Sequence, residues 1–342
     1  MMKLFKILCT VFLLLTAVTV YASPGFREVC GQLAATDDGT SVVAGEEGWL
    51  FLKEELQHIG AGPFWGENAP AATRTRKKEY ADPVPAIVAY NKLLAKQGIK
   101  LYLMPVPPKA LIYSDKVSAS VDPASVEQDL AVYKEFYRLL EKEGVSVIDL
   151  IPLLRADDPD KEKLYCRTDT HFSVTGLSYF AKEAAQKIKE SDWYDDYPKT
   201  SYRVSSQSAV IQGDLQQMSG GQGQGEEIDL AVVTQEKTGK GIESDPASPV
   251  ILLGDSHTLV FSAGGDLHAK GSGLFDHLSK ELGFAVDLLG VRGSGVTPAR
   301  IKFYQRSKKQ GDYLKGKKVM IWCFAARDFT GSGGWREIPV AP

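Results

Sequence analysis

Short apolar runs recur along this chain, and the stretches between them carry helical periodicity. The runs fall at residues 99–106, 145–150, 250–253, 285–289 and 317–324, with a shorter one at 48–52. Between them, residues 84–96 place Ile87, Val88, Leu93 and Leu94 near one face, and residues 125–142 do the same with Leu130, Val132, Phe136, Leu139 and Leu140. Further helical stretches lie at 173–189, with Ser173 as the expected N-cap, at 275–282 and at 298–307. Strands that are apolar throughout and alternate with helices predict an α/β fold, with a mainly parallel sheet covered on both faces. In such sheets chemistry collects at the carboxyl ends of the strands.

One segment breaks the alternation. Residues 212–249 are rich in Gly and Gln, with Ser219-Gly220-Gly221-Gln222-Gly223-Gln224-Gly225 at their centre. They read as an insertion, either a lid facing substrate or a surface loop. The rest of 23–342 is expected to form one large domain.

The N-terminus resembles a cleavable export signal over residues 1–22. Lys3 and Lys6 precede an apolar stretch from 7 to 20, and Val20-Tyr21-Ala22 suits a signal peptidase. A spanning helix needs about 20 apolar residues; an uncleaved anchor is the alternative, and with it membrane association. The expected location is therefore the periplasm. There disulfides persist. Cys9 leaves with the signal, and Cys323 sits in an apolar run as a buried thiol. Cys30 and Cys166 remain as a candidate bridge. No Cys or His spacing suits a structural metal, and no metal or cofactor is expected. A net charge of −3 gives no electrostatic case for nucleic acid.

Two peptides carry the chemistry. Leu252-Leu253-Gly254-Asp255-Ser256-His257 puts a serine just after an apolar strand, and Arg167-Thr168-Asp169-Thr170-His171 puts a carboxylate two residues from an imidazole. Ser256 as nucleophile, His171 as base and Asp169 as orienting acid would suit acyl chemistry. His58, His257, His268 and His277 are the competing bases. His257 adjoins Ser256 in the chain, where neighbouring side chains diverge. The bland readings are an ordinary Gly-Asp-Ser turn and a helix cap at Asp169-Thr170.

An Asp-Thr-His followed by an aromatic and a helix, and later a strand leading to Gly-Asp-Ser, resembles the alginate O-acetyltransferase family of AlgJ, AlgX and AlgV. Gly45-Glu46-Glu47-Gly48-Trp49-Leu50-Phe51, Pro105-Val106-Pro107-Pro108-Lys109 and Trp322-Cys323-Phe324-Ala325-Ala326-Arg327 are similar to further motifs of that family, in the same order. The resemblance implies an SGNH-hydrolase-like three-layer α/β/α domain with permuted motif order. It implies a triad of Ser256, His171 and Asp169 that passes acetyl groups to hydroxyls of an exported polysaccharide. It also implies a membrane-bound O-acyltransferase partner as acetyl supplier. The chain departs from the family at His257, after the serine, and at Ala326, where relatives often carry an acid. With no room for an appended carbohydrate-binding module, the shorter AlgJ-like arrangement is expected.

Other candidates are individually less constrained. Oxyanion or substrate contacts are expected from the backbone at Ser256 or His257, from Arg292 and Gly295 in the 290–295 segment, and from Arg327. An ordinary tight turn and a surface ion pair are the alternatives. The basic run Arg74, Arg76, Lys77 and Lys78 either attracts an acidic glycan or is a solvated face, and Trp65 and Trp193 either stack on sugars or pack in the core. A carbohydrate acetylesterase and a non-catalytic polysaccharide-binding subunit are the competing functions.

Overall fold

The computed structural model describes residues 24–155, 163–221, 223–293 and 295–342. The expected export signal, Gln222 of the Gly/Gln-rich segment and Ser294 of the 290–295 segment lie outside them. Among the described residues no helix is long and apolar enough to cross a membrane.

The strands are β1 (Val42–Ala44), β2 (Leu50–Leu52), β3 (Lys100–Val106), β4 (Ser146–Val147), β5 (Tyr202–Ile211), β6 (Glu226–Gln235), β7 (Val250–Gly254), β8 (Asp287–Gly290) and β9 (Val319–Ala325). Five of them form the central sheet in the order β4-β3-β9-β7-β8, every pair parallel. Counted in a circle from β7, this is the doubly wound order 2-1-3-4-5, and its switch point lies between β7 and β9. The circular start explains why the His-bearing segment precedes the serine in the chain.

All of β7 and β9 is buried, which is why they read as unbroken apolar runs. Helices cover both faces. Trp322 of β9 packs against Tyr90, from the helix Pro83–Lys96, at 5.4 Å between rings, and against Arg300 of the helix Val296–Lys309. Tyr102 of β3 is paired with Ile321, Trp322's neighbour, and so faces the other way. Its hydroxyl donates to the carbonyl of Lys187, in the helix Val174–Lys189, at 3.2 Å. The expected three-layer SGNH-hydrolase-like α/β/α arrangement with a mainly parallel sheet is what the chain adopts.

Two expectations change. Residues 212–249 are not a structureless insertion: β5 and β6 pair over ten residues each as an antiparallel hairpin, and a short helix, Asp214–Met218, lies in their connection. Cys30 and Cys166 are both buried free thiols. Their charged neighbours differ, Asp129 and Glu55 for Cys30 against Asp169 and Glu226 for Cys166, so each sulfur is packed into its own surroundings and no bridge ties the N-terminal helix to the Asp169 loop.

Candidate active site

At the carboxyl end of β7 the chain turns sharply into a single 3-10 turn, Ser256–Thr258. Asp255 builds this turn. Its Oδ1 accepts from the backbone N–H of His257 at 2.9 Å, and its Oδ2 accepts from the N–H of Ala325 at 2.8 Å, pinning the turn to the end of β9. Gly254 is required because a Cβ there would stand 1.9 Å from the carbonyl oxygen of Cys323. Ser256 is left partly exposed.

The helix Val174–Lys189 is capped by Ser173, whose hydroxyl accepts from the N–H of Gly176. The loop before it is closed by the bridge between Tyr165 and Phe172 and by the Cys166 N–H on the carbonyl of His171 at 3.1 Å. This fold carries His171 over the end of β7. His171 Nε2 lies 2.8 Å from Ser256 Oγ, and His171 Nδ1 lies 2.6 Å from Asp169 Oδ1. The backbone N–H of His171 donates to the same carboxylate oxygen at 2.9 Å. Of the histidines in the sequence, His171 is the one brought to the serine.

Burial would raise the pKa of Asp169, but the charge and hydrogen bond of His171, with His268, hold it well below the usual carboxylate range. Burial lowers that of His171, yet Asp169 and Asp214 outweigh it, so the imidazole is more basic than usual. His257 goes the other way: burial pushes it down despite Asp255, and His171 and Arg327 add to that. It therefore stays neutral, 4.8 Å from the His171 ring. Its Nδ1 sits 3.1 Å from Asp255 Oδ1 and its backbone N–H is committed to the same oxygen. The expected oxyanion contribution from the His257 amide is thus spent within the turn, leaving that of Ser256.

A cleft of about 500 Å³ opens beside Ser256 at the switch point, lined among others by Arg74, Gly295, Arg327, Asp328 and Arg336. Of the expected oxyanion or substrate contacts, Arg327 and Gly295 line this cleft. Arg292 does not: its guanidinium makes a bidentate pair with the exposed Asp266, Nη1 to Oδ1 at 2.9 Å, and faces solvent. Burial pushes Asp328 up to about 7 against the pull of Arg327. Of the basic run, Arg74 turns inward and pairs with Glu54 at 2.6 Å, while Arg76, Lys77 and Lys78 are exposed. Trp65 packs on Phe64 and Phe136, and Trp193 on Tyr194 and Tyr197, away from this cleft.

Four residues take supporting roles that the sequence does not assign to them. Lys109 is buried, and its ammonium donates to the carbonyls of Leu50, Arg167 and Asp169 at 2.7, 2.9 and 3.0 Å. Glu226, where the hairpin meets its connection, accepts from the N–H groups of Arg167 and Thr168 at 2.7 and 2.9 Å. Asp214 accepts from the N–H and hydroxyl of Thr170 at 2.7 and 2.6 Å, and its own N–H donates to Asp169 Oδ2 at 2.8 Å. His268 Nε2 lies 2.9 Å from that same Oδ2. The sequence offers Lys109 only through the Pro-Pro-Lys motif and His268 only as a competing base, and it points to neither Glu226 nor Asp214. Ligand atoms of Asp169, His171 and Asp214 lie within 4.8 Å of one another. Nδ1 and Oδ1 already engage each other at 2.6 Å, so the trio is a hydrogen-bond network before it is a cation site.

A family model described as an SGNH hydrolase-like domain, acetyltransferase AlgX, matches residues 42–326. The chain is 28% identical over 174 residues to a probable alginate O-acetylase AlgJ of Pseudomonas syringae pv. tomato, covering 51% of this chain and 40% of that protein. It is 27% identical over 154 residues to its Pseudomonas aeruginosa counterpart, covering 45% and 34%. The matched region thus spans about two fifths of these relatives at most. Among solved structures, the O-acetyltransferase domain of Pseudomonas putida AlgJ superposes with a TM-score of 0.61 at 20% identity, over 85% of this chain and 92% of that one. Pseudomonas aeruginosa AlgX superposes with a TM-score of 0.59 at 18% identity, over 84% and 62%. At these identities the structural likeness speaks to the fold.

Proposed function

The chain belongs to the AlgX family of SGNH-hydrolase-like acetyltransferases, and on that premise we propose that it moves acetyl groups onto hydroxyls of an exported polysaccharide, alginate or a similar glycan. The observation that carries the reading is the continuous chain from Ser256 Oγ through His171 to Asp169, at 2.8 and 2.6 Å, beside an open cleft.

Ser256 Oγ attacks the carbonyl carbon of an acetyl donor while His171 Nε2 takes its proton. The tetrahedral oxyanion is met by the backbone N–H of Ser256 and by the Arg327 guanidinium. Collapse expels the donor's leaving group, which takes the proton from His171 and leaves acetyl-Ser256. A sugar hydroxyl then enters the cleft, gives its proton to His171 and attacks the acetyl carbon. The serine oxygen departs and recovers that proton. Asp169 keeps the Nδ1–H tautomer and stabilises the imidazolium at each step. Arg327 and Arg336 are the cleft's cations toward an acidic sugar, Arg74 being paired with Glu54.

In this reading residues 1–22 are a cleaved export signal, residues 23–342 are one catalytic domain in the periplasm, and a membrane-bound O-acyltransferase supplies the acetyl group. The test is to give the protein a chromogenic acetate ester with and without uronate oligosaccharides. Acetylated oligosaccharide that disappears with Ser256→Ala is the expected result. Free acetate alone with every acceptor would replace the transferase reading with an esterase. A wild-type protein that binds the oligosaccharide but turns over no ester would make the chain a binding subunit, and unchanged turnover in Ser256→Ala would remove Ser256 as the nucleophile.

A further inference from the structure

Asp169 is 1% exposed and accepts from four donors. Two meet Oδ1, the His171 N–H and Nδ1, and two meet Oδ2, the Asp214 N–H and His268 Nε2. Each oxygen thus takes one backbone amide and one imidazole, and the two imidazoles complete the set of contacts that holds the carboxylate's rotation about its Cβ–Cγ bond. We propose that His268 is a positioning residue, which holds the outer oxygen of Asp169 so that the inner oxygen stays in line with His171 Nδ1. The inference deepens the acyl-transfer reading and rests on it for its meaning.

His268 belongs to the loop that follows the Ser256 turn, so the nucleophile's own loop returns to grip the acid. The backbone gives up stability to do so. His268 has φ +72° and Phe261 φ +59°, both in the left-handed region without being glycine. The two rings pack against each other at 5.3 Å, tilted by 40°. Such positions are strained and persist where the surroundings over-determine them. Here the surroundings are the Gly264–Leu267 bridge, the Gly264 N–H on the carbonyl of Ala269 at 2.9 Å, and the ion pair of Asp266 with Arg292. That pair gives Arg292 a place in the account: it steadies the loop that presents His268.

With a proton on Nε2, His268 donates to Oδ2 and draws charge from the carboxylate. This keeps Asp169 ionised and leaves the imidazolium proton on His171 during turnover. The charged groups that act on it are Asp169, from the loop before the helix Val174–Lys189, and Asp266 on its own loop.

The test is an NMR titration of His171 in the free protein, alongside pH profiles of kcat/KM, for wild type, His268→Ala and His268→Gln. Without the second donor, Asp169 concentrates its charge on His171. In His268→Ala the His171 midpoint should therefore rise by about 0.5–1 pH unit, and kcat should fall about 10–100-fold with KM little changed, as a tilted acid–base pair requires. The Gln amide stands near the Nε2 position and should restore both. A midpoint unmoved in His268→Ala, or a Gln variant no better than Ala, overturns the proposal. Should His268→Ala fail to fold, the Gln variant decides alone, wild-type midpoint and kcat supporting the role and any other result rejecting it. Because the titration needs no turnover, it answers for His268 even if no acetyl-enzyme forms and the acyl-transfer reading falls.

Discussion

Replacing Asp169 by Asn changes one oxygen into an amino group in a place where four donors converge, and the consequence can be worked through for both amide orientations. If the amino group faces His171, the His171 N–H loses its acceptor, and Nδ1 must accept a proton instead of donating one. Nε2 then carries the hydrogen and points it at Ser256, which disables the base. The wrong tautomer costs about 10⁴ in kcat in a comparable triad, or about 5.5 kcal/mol at 1.36 kcal/mol per decade. If the amino group faces outward, the Asp214 N–H, 2.8 Å from Oδ2 in the native chain, loses its acceptor. The tautomer survives, but a charge-assisted bond becomes a neutral one of about half the strength, which costs about 10–100-fold. Either orientation strands a buried amide, worth about 1–3 kcal/mol of stability. The assay is initial-rate cleavage of a chromogenic acetate ester with a denaturant melt on the same preparation. We expect kcat down by about 10–10⁴ and stability down by about 1–3 kcal/mol. A folded Asn variant within about threefold of wild-type kcat would refute the assignment of Asp169.

Three further outcomes follow from the same geometry. His171 must be neutral to take the serine proton, and Asp169 raises its pKa above the 6.5 of an ordinary imidazole. The rate should therefore fall as pH drops, with its midpoint above 6.5, and a midpoint below that value in a kcat/KM profile would contradict the pairing. Asp214→Ala frees the Thr170 N–H and hydroxyl that it now holds and should cut kcat about tenfold or more by loosening the Asp169 loop. An unchanged kcat would show that the hairpin connection does not brace it. Gly254→Ala places a methyl 1.9 Å from the backbone oxygen of Cys323 and should cost about 3 kcal/mol or more by parting β7 from β9, as a thermal melt would reveal.

Much of the scaffold is legible in the sequence because β3, β7 and β9 are buried on both faces and so carry no polar interruptions. Ser173 reads correctly as a cap because capping is a local rule. The hairpin is missed for the opposite reason. The outward strand β5 is largely exposed and built from Ser205, Ser206, Gln207 and Ser208, a composition that reads as loop. Glu226 and Asp214 serve backbone groups more than forty residues away, a relation no local pattern records. His268 reaches Asp169 through a left-handed turn that its residue type does not advertise. Arg292 follows a strand of the functional edge, as the sequence suggests, yet Asp266 is the nearer anion and takes it outward.

The central claim is that Ser256 carries the acetyl group. Brief exposure to an activated acetate ester, acid quench and intact-mass measurement with peptide mapping tests it directly. The account predicts a single acetyl group on the peptide holding Ser256, lost again when an acceptor oligosaccharide is added, and no such adduct in Ser256→Ala. An unlabelled wild-type protein that still turns the ester over, or an adduct that persists unchanged in Ser256→Ala, would contradict it.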